Sequence, residues 1–316
     1  MKNDAPFFSV LVLTYEPDPS KLISTLYSII IQDEPDKEIV ISDDGSASFD
    51  DGYVRKFFES YGFTEYRIVR NVPNEGTVSN MLKGVGQCRG RYIKPISPGD
   101  YLFRESTLSE LRVFLEDSCC AVCFGKAAHY NTDADGEVRI LQESFPRDLS
   151  VYRAREDRRI AQNYLCHRDY ILGAAFAAKR ELYIQYLQKI SGKIKFSEDQ
   201  SAVLMVSDGI IPMLFDDYIV WYESGTGISS PGKDKWAAIL AEENRAVYGM
   251  IYSGDNLPET VRLWWAESRN TIGTLLFRLL NRLWWNKTYR TQKPETVSDE
   301  YITILKSILS KGRELS

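Results

Sequence analysis

Acidic side chains follow two of the predicted strands, at points where a ligand could bind. Asp43 and Asp44 come at the end of a strand predicted over Lys37 to Ser42, and Asp100 follows a β-run from Tyr92 to Ile96 through a Pro-Gly turn. Ligands collect at the carboxyl ends of strands in an open α/β sheet, so Asp100 is well placed to hold a cation. A Pro-Gly turn breaks strands anywhere, however, and the same acid also fits an ordinary turn.

A second acidic pair, Glu198 and Asp199, lies in the segment Ser197 to Gln200, which has the Ser-x-x-Gln form of a helix capping box. A carboxylate within hydrogen-bond reach of a hydroxyl group can take its proton, but the sequence of this pair alone does not assign it that role. An acid in the first turn of a helix is also favoured by the helix dipole without any catalytic role.

The predicted elements that position these acids alternate between strand and helix. Phe8 to Thr14 is a continuous apolar run typical of a central parallel strand, and Ser20 to Ile31 has helical spacing. Strands then follow at Lys37 to Ser42, Tyr66 to Arg70 and Tyr92 to Ile96, separated by helices at Tyr53 to Tyr61 and Asn74 to Gln87. This β-α-β-α-β-α-β order predicts a Rossmann-like, mostly parallel sheet flanked by helices.

The later part of the chain is less regular and ends in helical patterns. Asp135-Gly136 between two apolar runs, Ala121 to Tyr130 and Glu137 to Leu141, predicts a hairpin. The polar, Arg-rich stretch from Asp148 to Leu165 predicts a mobile loop and a short helix, and Ile219 to Tyr222 a last strand. We therefore predict a catalytic domain over residues 1–232 and a helical C-terminal extension over residues 233–316.

Composition excludes several classes of protein. The 316 residues carry 39 Lys and Arg against 44 Asp and Glu, a net charge of −5 that argues against a nucleic-acid binder. The first ten residues lack the apolar core of a signal peptide, and five cysteines, an odd number, favour a reducing compartment, so we expect a cytoplasmic location. Cys119, Cys120 and Cys123 match no standard zinc spacing and are interpreted as buried strand thiols.

The C-terminal extension contains a basic amphipathic region, residues 258–293. Seven Lys or Arg stand against Glu267 between Val261 and Lys293. One helical face collects apolar side chains, and tryptophans lie near both ends of the region: Ile272, Leu276, Leu279, Leu280 and Leu283, with Trp264, Trp265, Trp284 and Trp285. Such a helix fits contact with a membrane surface, with a second copy of the chain or with its own catalytic domain.

Six short motifs, taken in order, resemble family 2 glycosyltransferases of the GT-A fold. The resemblance covers about Phe8 to Ser230. The motifs are Leu13-Thr14-Tyr15-Glu16, Ser42-Asp43-Asp44-Gly45-Ser46, Asn74-Glu75-Gly76 with Asn80, Gly90-Arg91-Tyr92-Ile93 with the turn at Asp100-Tyr101-Leu102, Leu172-Gly173-Ala174-Ala175-Phe176, and Ser197-Glu198-Asp199. The resemblance implies an inverting transfer of a sugar from a nucleotide-diphosphate sugar, usually with Mg or Mn.

The resemblance also implies roles for the residues at the strand ends. Eight residues match the family's nucleotide-binding positions: Thr14, Tyr15, Glu16, Asp43, Asp44, Ser46, Asn74 and Gly76. Tyr15 would stack on the base, although an edge tyrosine also covers a sheet. Asp44 would contact the base or ribose, although Asp-Gly is equally a plain turn.

The resemblance assigns the metal to Asp100 and the general base to Asp199, with Glu198 beside it. Asp100 matches the last acid of the family's Asp-x-Asp-Asp stretch, but Ser97, Pro98 and Gly99 replace the residues before it. One protein carboxylate with diphosphate oxygens and water can hold Mg or Mn, so weak metal affinity is expected without the nucleotide.

The expected donor is a UDP-sugar ahead of a dTDP-sugar, and the expected acceptor is a glycan, lipid-linked or protein-linked, as in cell-surface polysaccharide synthesis. Two alternatives stay open. One is a nucleotidyltransferase, although Tyr15 to Pro19 is neither the Gly-rich nor the basic phosphate loop usual in that class. The other is a non-catalytic, nucleotide-sugar-binding scaffold for other transferases, which the missing acids before Asp100 favour.

Overall fold

A computed structural model describes residues 5–133, 136–227, 234–252, 271–292 and 295–315. The strands are β1 (Phe8–Thr14), β2 (Lys37–Asp43), β3 (Tyr66–Arg70), β4 (Tyr92–Ile96), β5 (Tyr101–Leu102), β6 (Val122–Thr132), β7 (Val138–Ile140), β8 (Phe176–Lys179) and β9 (Met213–Glu223). The helices are α1 (Pro19–Ile30), α2 (Asp51–Ser60), α3 (Thr77–Gln87), α4 (Thr107–Ser118), α5 (Ser150–Arg153), α6 (Asp157–His167), α7 (Arg180–Ile190), α8 (Gln200–Ser207), α9 (Asp234–Tyr252), α10 (Thr271–Thr291) and α11 (Asp299–Leu315), with a 3-10 turn at Gly173–Ala175.

Nine strands of the described chain form one mixed sheet in the order β3-β2-β1-β4-β8-β6-β9-β5, with β7 on β6. The strands β3, β2, β1 and β4 are parallel, as the alternating pattern predicted. Beyond β4 the sheet changes direction, because β8 pairs antiparallel with both β4 and β6. Thr14 at the end of β1 aligns with Asp43 at the end of β2, so the first motifs meet at one edge.

Alternate residues of the central strands pack into two apolar layers on opposite faces of the sheet. Leu11 and Val40 face the layer that contains α3 and α7, whereas Val10, Val12 and Ile41 face the layer that contains α1, α2 and α4. Every residue of β1 and β2 is buried. Because both faces of these central strands are covered, their carboxyl ends are held in place within the sheet.

The predicted hairpin is present as β6 and β7, but three other local predictions are wrong. The stretch from Asp148 to Leu165 forms α5 and α6, whose Tyr152 and Tyr164 are buried, rather than a mobile loop. The last strand begins at Met213, six residues before the predicted start. Cys119 is exposed and precedes β6, so only Cys123 of that cluster is a buried strand thiol.

The C-terminal helices pack on the sheet domain at two places. Val247, Tyr248 and Ile251 of α9 belong to the same apolar cluster as α3, α7 and α8. Leu305 and Ile308 of α11 cover a third cluster under β5 and β9. Both helices therefore pack against the sheet, whereas the division of the chain at residue 232 stays a prediction.

The helix α10 exposes part of the predicted apolar face. Leu279, Leu280 and Leu283 are exposed, while the side chains of Ile272 and Leu276, and both Trp264 and Trp265, lie outside the described residues. At the other end Trp284 stacks on the His167 ring with 4.4 Å between centroids, and the Trp285 indole N–H donates to the His167 carbonyl. None of the helices in the described ranges combines the length and the apolar character that crossing a membrane requires.

Candidate active site

The ends of β1 and β2 are joined by hydrogen bonds through Ser46. The Glu16 N–H donates to the Ser46 hydroxyl oxygen at 2.7 Å, and the Asp43 carboxylate accepts the Ser46 N–H at 2.9 Å. The Glu16 carboxylate accepts bonds from the Ala47 N–H and from the Ser48 hydroxyl, which lower its pKa. These bonds fix the loop after β2 against the end of β1.

Two side chains at this edge remain available to a ligand. The Tyr15 side chain is 57% exposed, although it follows a strand that is buried throughout. The Thr14 hydroxyl is buried and has no hydrogen-bond partner among the described residues. An exposed ring beside a rigid strand end can stack on a planar base.

Asp44 holds the loop that precedes α3. Its two carboxylate oxygens accept the backbone N–H groups of Glu75 and Gly76, at 3.0 and 2.8 Å. Gly76 has a φ of +94°, and a Cβ there would collide with Lys195. The Gly45 backbone packs closely against the same loop, since a Cβ on Gly45 would lie 2.9 Å from the Asn74 backbone nitrogen. The predicted residues Asp44, Asn74 and Gly76 thus form one connected wall.

Asn80 anchors α3 to the same wall from below. Its carboxamide oxygen accepts from the Ser42 hydroxyl at 2.6 Å and from the Asn71 side chain at 2.9 Å, and its NH₂ group donates to the Ser42 carbonyl at 2.9 Å. The group is buried, so these bonds are shielded from competing water. Asn80 therefore positions the wall and does not face a ligand.

The turn at residues 97–100 is fixed from three sides. The Thr25 hydroxyl donates to the Asp100 carbonyl at 2.9 Å and accepts the Gly99 N–H at 3.2 Å. The Tyr130 hydroxyl donates to the Gly99 carbonyl at 2.6 Å. The Asp100 side chain is only 7% exposed, and its Oδ1 accepts the Glu223 N–H at 3.2 Å.

A buried lysine lies beneath this turn. The Lys94 ammonium donates to the carbonyl of Pro95 at 2.9 Å and to that of Ala174. Burial lowers the pKa of Lys94 and raises the pKa of Asp100, and the attraction between the two groups opposes both shifts. Sequence reasoning missed Lys94, whose signal is a charged residue in the middle of an otherwise apolar strand.

A second missed group is the ion pair between Lys21 and Glu223. The Lys21 ammonium lies 2.7 and 2.6 Å from the two carboxylate oxygens of Glu223. Glu223 is the last residue of β9 and is 8% exposed. A buried acid at a strand end was the available signal, but its proximity to Asp100 depends on the pairing of β5 with β9, which sequence periodicity does not give.

The candidate base lies in a segment pinned by α9. The Glu243 carboxylate accepts the N–H groups of Lys195, Phe196 and Ser197, and also the Ser197 hydroxyl at 2.7 Å. The Ser197 hydroxyl is therefore not the predicted cap, and α8 begins at Gln200, after Asp199.

Glu198 and Asp199 hold protons more tightly than isolated acids. Burial raises the pKa of Glu198, and the neighbouring charge of Asp199 raises it further. Burial also raises the pKa of Asp199, against its backbone hydrogen bonds and with the charge of Glu243. Because the two carboxyls interact, their protons leave in two steps that belong to the pair rather than to either residue.

Tyr222 and the Gly173–Ala175 turn connect the two acidic groups. Burial raises the pKa of Tyr222 to about 12, and the charges of Asp100, Glu198 and Asp199 add to this effect. A Cβ on Gly173 would lie 3.8 Å from the Glu198 Oε1, and the next residue, Ala174, accepts from Lys94. Glu198 and Lys94 thus both approach one small-residue turn.

The residues at the turn fit a divalent cation only together with a ligand. Within the described ranges, no three His, Cys, Asp or Glu side chains are grouped closely enough to bind a metal ion by themselves. Asp100 and Glu223 offer two carboxylates, and Mg²⁺ is commonly held by one or two carboxylates together with substrate phosphates. The donor set therefore fits Mg or Mn bound with a diphosphate.

The family follows from a sequence comparison. The model of "Glycosyl transferase family 2" matches residues 9–187, more than half of the chain. The chain belongs to glycosyl transferase family 2. It is accordingly a glycosyltransferase, and its mixed sheet with flanking helices is the GT-A fold. Comparison with curated protein sequences finds no match.

Two solved structures share the fold at low sequence identity. S. aureus TarS 1-349 in complex with UDP matches with a TM-score of 0.53 and 16% identity, over 81% of this chain and 68% of that chain. The mannosyltransferase PcManGT from Pyrobaculum calidifontis in complex with GDP-Man and Mn²⁺ matches with a TM-score of 0.58 and 16% identity, over 99% and 87%.

Proposed function

We propose that the protein is an inverting glycosyltransferase that moves a sugar from a nucleotide-diphosphate sugar to a hydroxyl of an acceptor. The observation that carries the proposal is the position of Glu198 beside Gly173, whose neighbour Ala174 accepts a hydrogen bond from Lys94, the buried cation that interacts with Asp100. A group that holds diphosphate on one side and a proton acceptor on the other is what an in-line displacement at a sugar carbon requires.

The donor nucleotide binds at the ends of β1 and β2. The exposed Tyr15 ring stacks on the base, and the Thr14 hydroxyl and Glu16 line the same edge. Asp43 and Ser46 shape the loop. Asp44 contacts the base or ribose and holds the backbone of Glu75 and Gly76, so that Asn74 and Gly76 line the site near the diphosphate. We propose a UDP-sugar ahead of a dTDP-sugar, in line with the UDP bound to the TarS structure.

Asp100 holds Mg or Mn together with the donor diphosphate. When bound, the metal supplies positive charge that stabilises the leaving diphosphate. The Mn²⁺ in the mannosyltransferase complex supports this choice of ion. The protein's own part is to keep the Asp100 carboxylate rigid and shielded, through the bonds that fix residues 97–100.

Asp199 takes the proton from the acceptor hydroxyl as that hydroxyl attacks the sugar. Its raised pKa makes it a stronger base than an exposed aspartate. Glu198 lies beside it, and the charge of Asp199 raises the pKa of Glu198. Gly173 leaves room for the acceptor next to Glu198. The proposed acceptor is a glycan, lipid-linked or protein-linked, as in cell-surface polysaccharide synthesis at the cytoplasmic face of a membrane.

A non-catalytic scaffold is the second candidate, and one observation favours it. The turn at residues 97–100 has a single acid where the family pattern has three. Such a protein would bind the nucleotide-sugar and present its C-terminal helices to partner enzymes. A nucleotidyltransferase has no comparable support, because the family match is to sugar transferases.

A donor panel tests the proposal. UDP-, dTDP- and GDP-sugars are incubated with the protein and Mn²⁺, and nucleotide release is measured with and without a mixture of acceptors. We expect release with one donor, and Asp199→Asn to reduce it by about 10²- to 10⁴-fold while nucleotide binding is kept. The matched control is Glu181→Gln, an acid whose side chain is 80% exposed. Binding without release would favour the scaffold, and full release by Asp199→Asn would remove Asp199 from its role.

A further inference from the structure

The ion pair between Lys21 and Glu223 occupies the side of the metal-binding turn where the family pattern has its other acids. Its partners are 202 positions apart in sequence, on α1 and β9. Both carboxylate oxygens of Glu223 contact the Lys21 ammonium, and Glu223 is 8% exposed. A carboxylate so well enclosed requires a positive partner, because an unpaired charge in this position is costly.

Glu223 is bound to the turn as well as to Lys21. Its backbone N–H donates to the Asp100 Oδ1, and its Oε2 lies 2.5 Å from where a Cβ on Gly99 would stand. Gly99 also has a φ of +101°, which favours glycine for a second reason. Position 99 therefore has no room for a side chain, because the Glu223 carboxylate contacts the turn there.

The two cations around these acids differ in how firmly they are held. Lys94 is fully buried and donates to two backbone carbonyls, so it is fixed in place. The Lys21 side chain is 33% exposed, and within the described part of the chain its ammonium bonds to Glu223 alone. A flexible ammonium on a four-carbon stem can leave its carboxylate when a stronger cation arrives.

We propose that Glu223 is the second carboxylate of the divalent-cation site, and that Lys21 is an internal counter-ion displaced from it when the cation and a nucleoside diphosphate bind. This inference rests on the proposed function. A distant strand thus replaces the acids missing from residues 97–99, and the displaced Lys21 ammonium turns to the diphosphate. Competition from Lys21 keeps the metal affinity low until the nucleotide is present.

Binding of Mn²⁺, measured by electron paramagnetic resonance as the loss of the free-ion signal, tests the proposal without any turnover. UDP is the probe nucleotide, and its affinity is measured separately in EDTA. We expect wild-type protein to bind Mn²⁺ at least about tenfold more tightly with UDP than without it. Glu223→Gln should lose about 10- to 100-fold of the UDP-dependent Mn²⁺ affinity while its affinity for UDP in EDTA is unchanged.

Lys21→Met should change the Mn²⁺ affinity in the opposite direction. Without its competitor, Glu223 should bind Mn²⁺ about tenfold more tightly in the absence of UDP. Glu223→Gln keeps a hydrogen-bond acceptor for Lys21, and thermal melts of both variants establish that they are folded. Wild-type Mn²⁺ affinity in Glu223→Gln, or weaker Mn²⁺ binding by Lys21→Met, would overturn the proposal.

The outcomes separate this inference from the proposed function. Wild-type protein that binds UDP but never Mn²⁺ overturns the role of Glu223 and leaves the donor site intact. Wild-type protein that binds none of the nucleotides in the donor panel overturns the proposed function, and the inference falls with it.

Discussion

At the scale of single side chains, the surroundings of Asp199 set the pH range in which it accepts a proton. Burial raises its pKa to about 6, so the carboxyl is protonated over a range where an exposed aspartate is already ionised. A base must be ionised to act, and a raised pKa moves the loss of activity upward in pH. The rate of sugar transfer should therefore fall as the pH decreases through about 6, with the nucleotide still bound.

The measurement is the rate at saturating donor and acceptor from pH 5 to 8, with donor affinity followed by thermal shift at each pH. A flat profile between pH 5 and 7 would contradict the assignment of Asp199 as the base. Glu181→Gln again serves as the control, since the Glu181 side chain is 80% exposed and should leave the profile unchanged.

His129 provides a second pH effect, on stability. Burial and the nearby Arg147 lower its pKa to about 4, whereas an unfolded histidine titrates near 6.5. The unfolded chain therefore binds the extra proton first, so stability present above pH 6.5 is lost as the pH falls toward 4.

Replacing His129 by Gln should remove this contribution. From urea unfolding curves at pH 7 and pH 4.5, we expect the wild-type free energy of unfolding to fall by roughly 1 to 3 kcal/mol more than that of His129→Gln. Equal losses in the two proteins would show that His129 titrates normally.

Sequence reasoning at this scale found Asp100 and Asp199 but not the buried charged groups near Asp100. Asp100 and Asp199 follow recognisable local patterns. Lys94 and Glu223 matter because the sheet brings β4, β8 and β9 together over more than 100 residues, and no local pattern encodes that distance. The cap of α8 was missed for the same reason, because Ser197 bonds to Glu243, 46 residues away.

At the scale of elements, two helical glycines differ in how closely their surroundings pack against them. A Cβ on Gly312 of α11 would collide with the Ser24 hydroxyl and the Ser20 carbonyl of α1, whereas a Cβ on Gly249 of α9 meets nothing within 4 Å. Alanine is the better helix former by about 1 kcal/mol, so the two replacements should have opposite signs.

We expect Gly249→Ala to raise the free energy of unfolding by about 0.5 to 1 kcal/mol and Gly312→Ala to lower it by about 1 to 3 kcal/mol, since overpacking forces the helices apart. Urea unfolding of each variant measures both values. If Gly312→Ala also stabilises the protein, the contact between α1 and α11 is looser than described.

The elements themselves were predicted best where the burial pattern is simple. β1, β2 and β4 are buried on both faces, and their bounds were predicted to within one residue. β9 was predicted too short because its first half, from Met213, is only partly buried and carries Asp216 and Asp217. These two acids pair with Arg153 and Arg104, which sequence alone does not connect to them.

At the scale of the whole molecule, α11 completes the sheet domain. Val297, Leu305 and Ile308 are buried in the cluster that contains Phe103 and Trp221. Burial of three such side chains contributes at most about 5 to 9 kcal/mol to the free energy of unfolding. The helical extension is therefore expected to fold with the catalytic domain in one transition.

A chain that ends at Gln292 tests this expectation. Its melting temperature should fall by more than about 5 °C, and Trp221 fluorescence should become accessible to a soluble quencher. For the full chain, the unfolding transitions measured by far-ultraviolet circular dichroism and by tryptophan fluorescence should coincide. An unchanged melting temperature would mark α11 as a dispensable appendage.

The hydrogen bonds from residues 195–197 to the Glu243 carboxylate also limit which insertions the sequence can accept during evolution. Insertion of one residue in α9 ahead of Glu243 would rotate its carboxylate by about 100° around the helix axis and release three backbone N–H groups beside the proposed base. We therefore expect one-residue insertions between the start of α9 and Glu243 to be selected against, because they separate this acid from the segment that carries the proposed base.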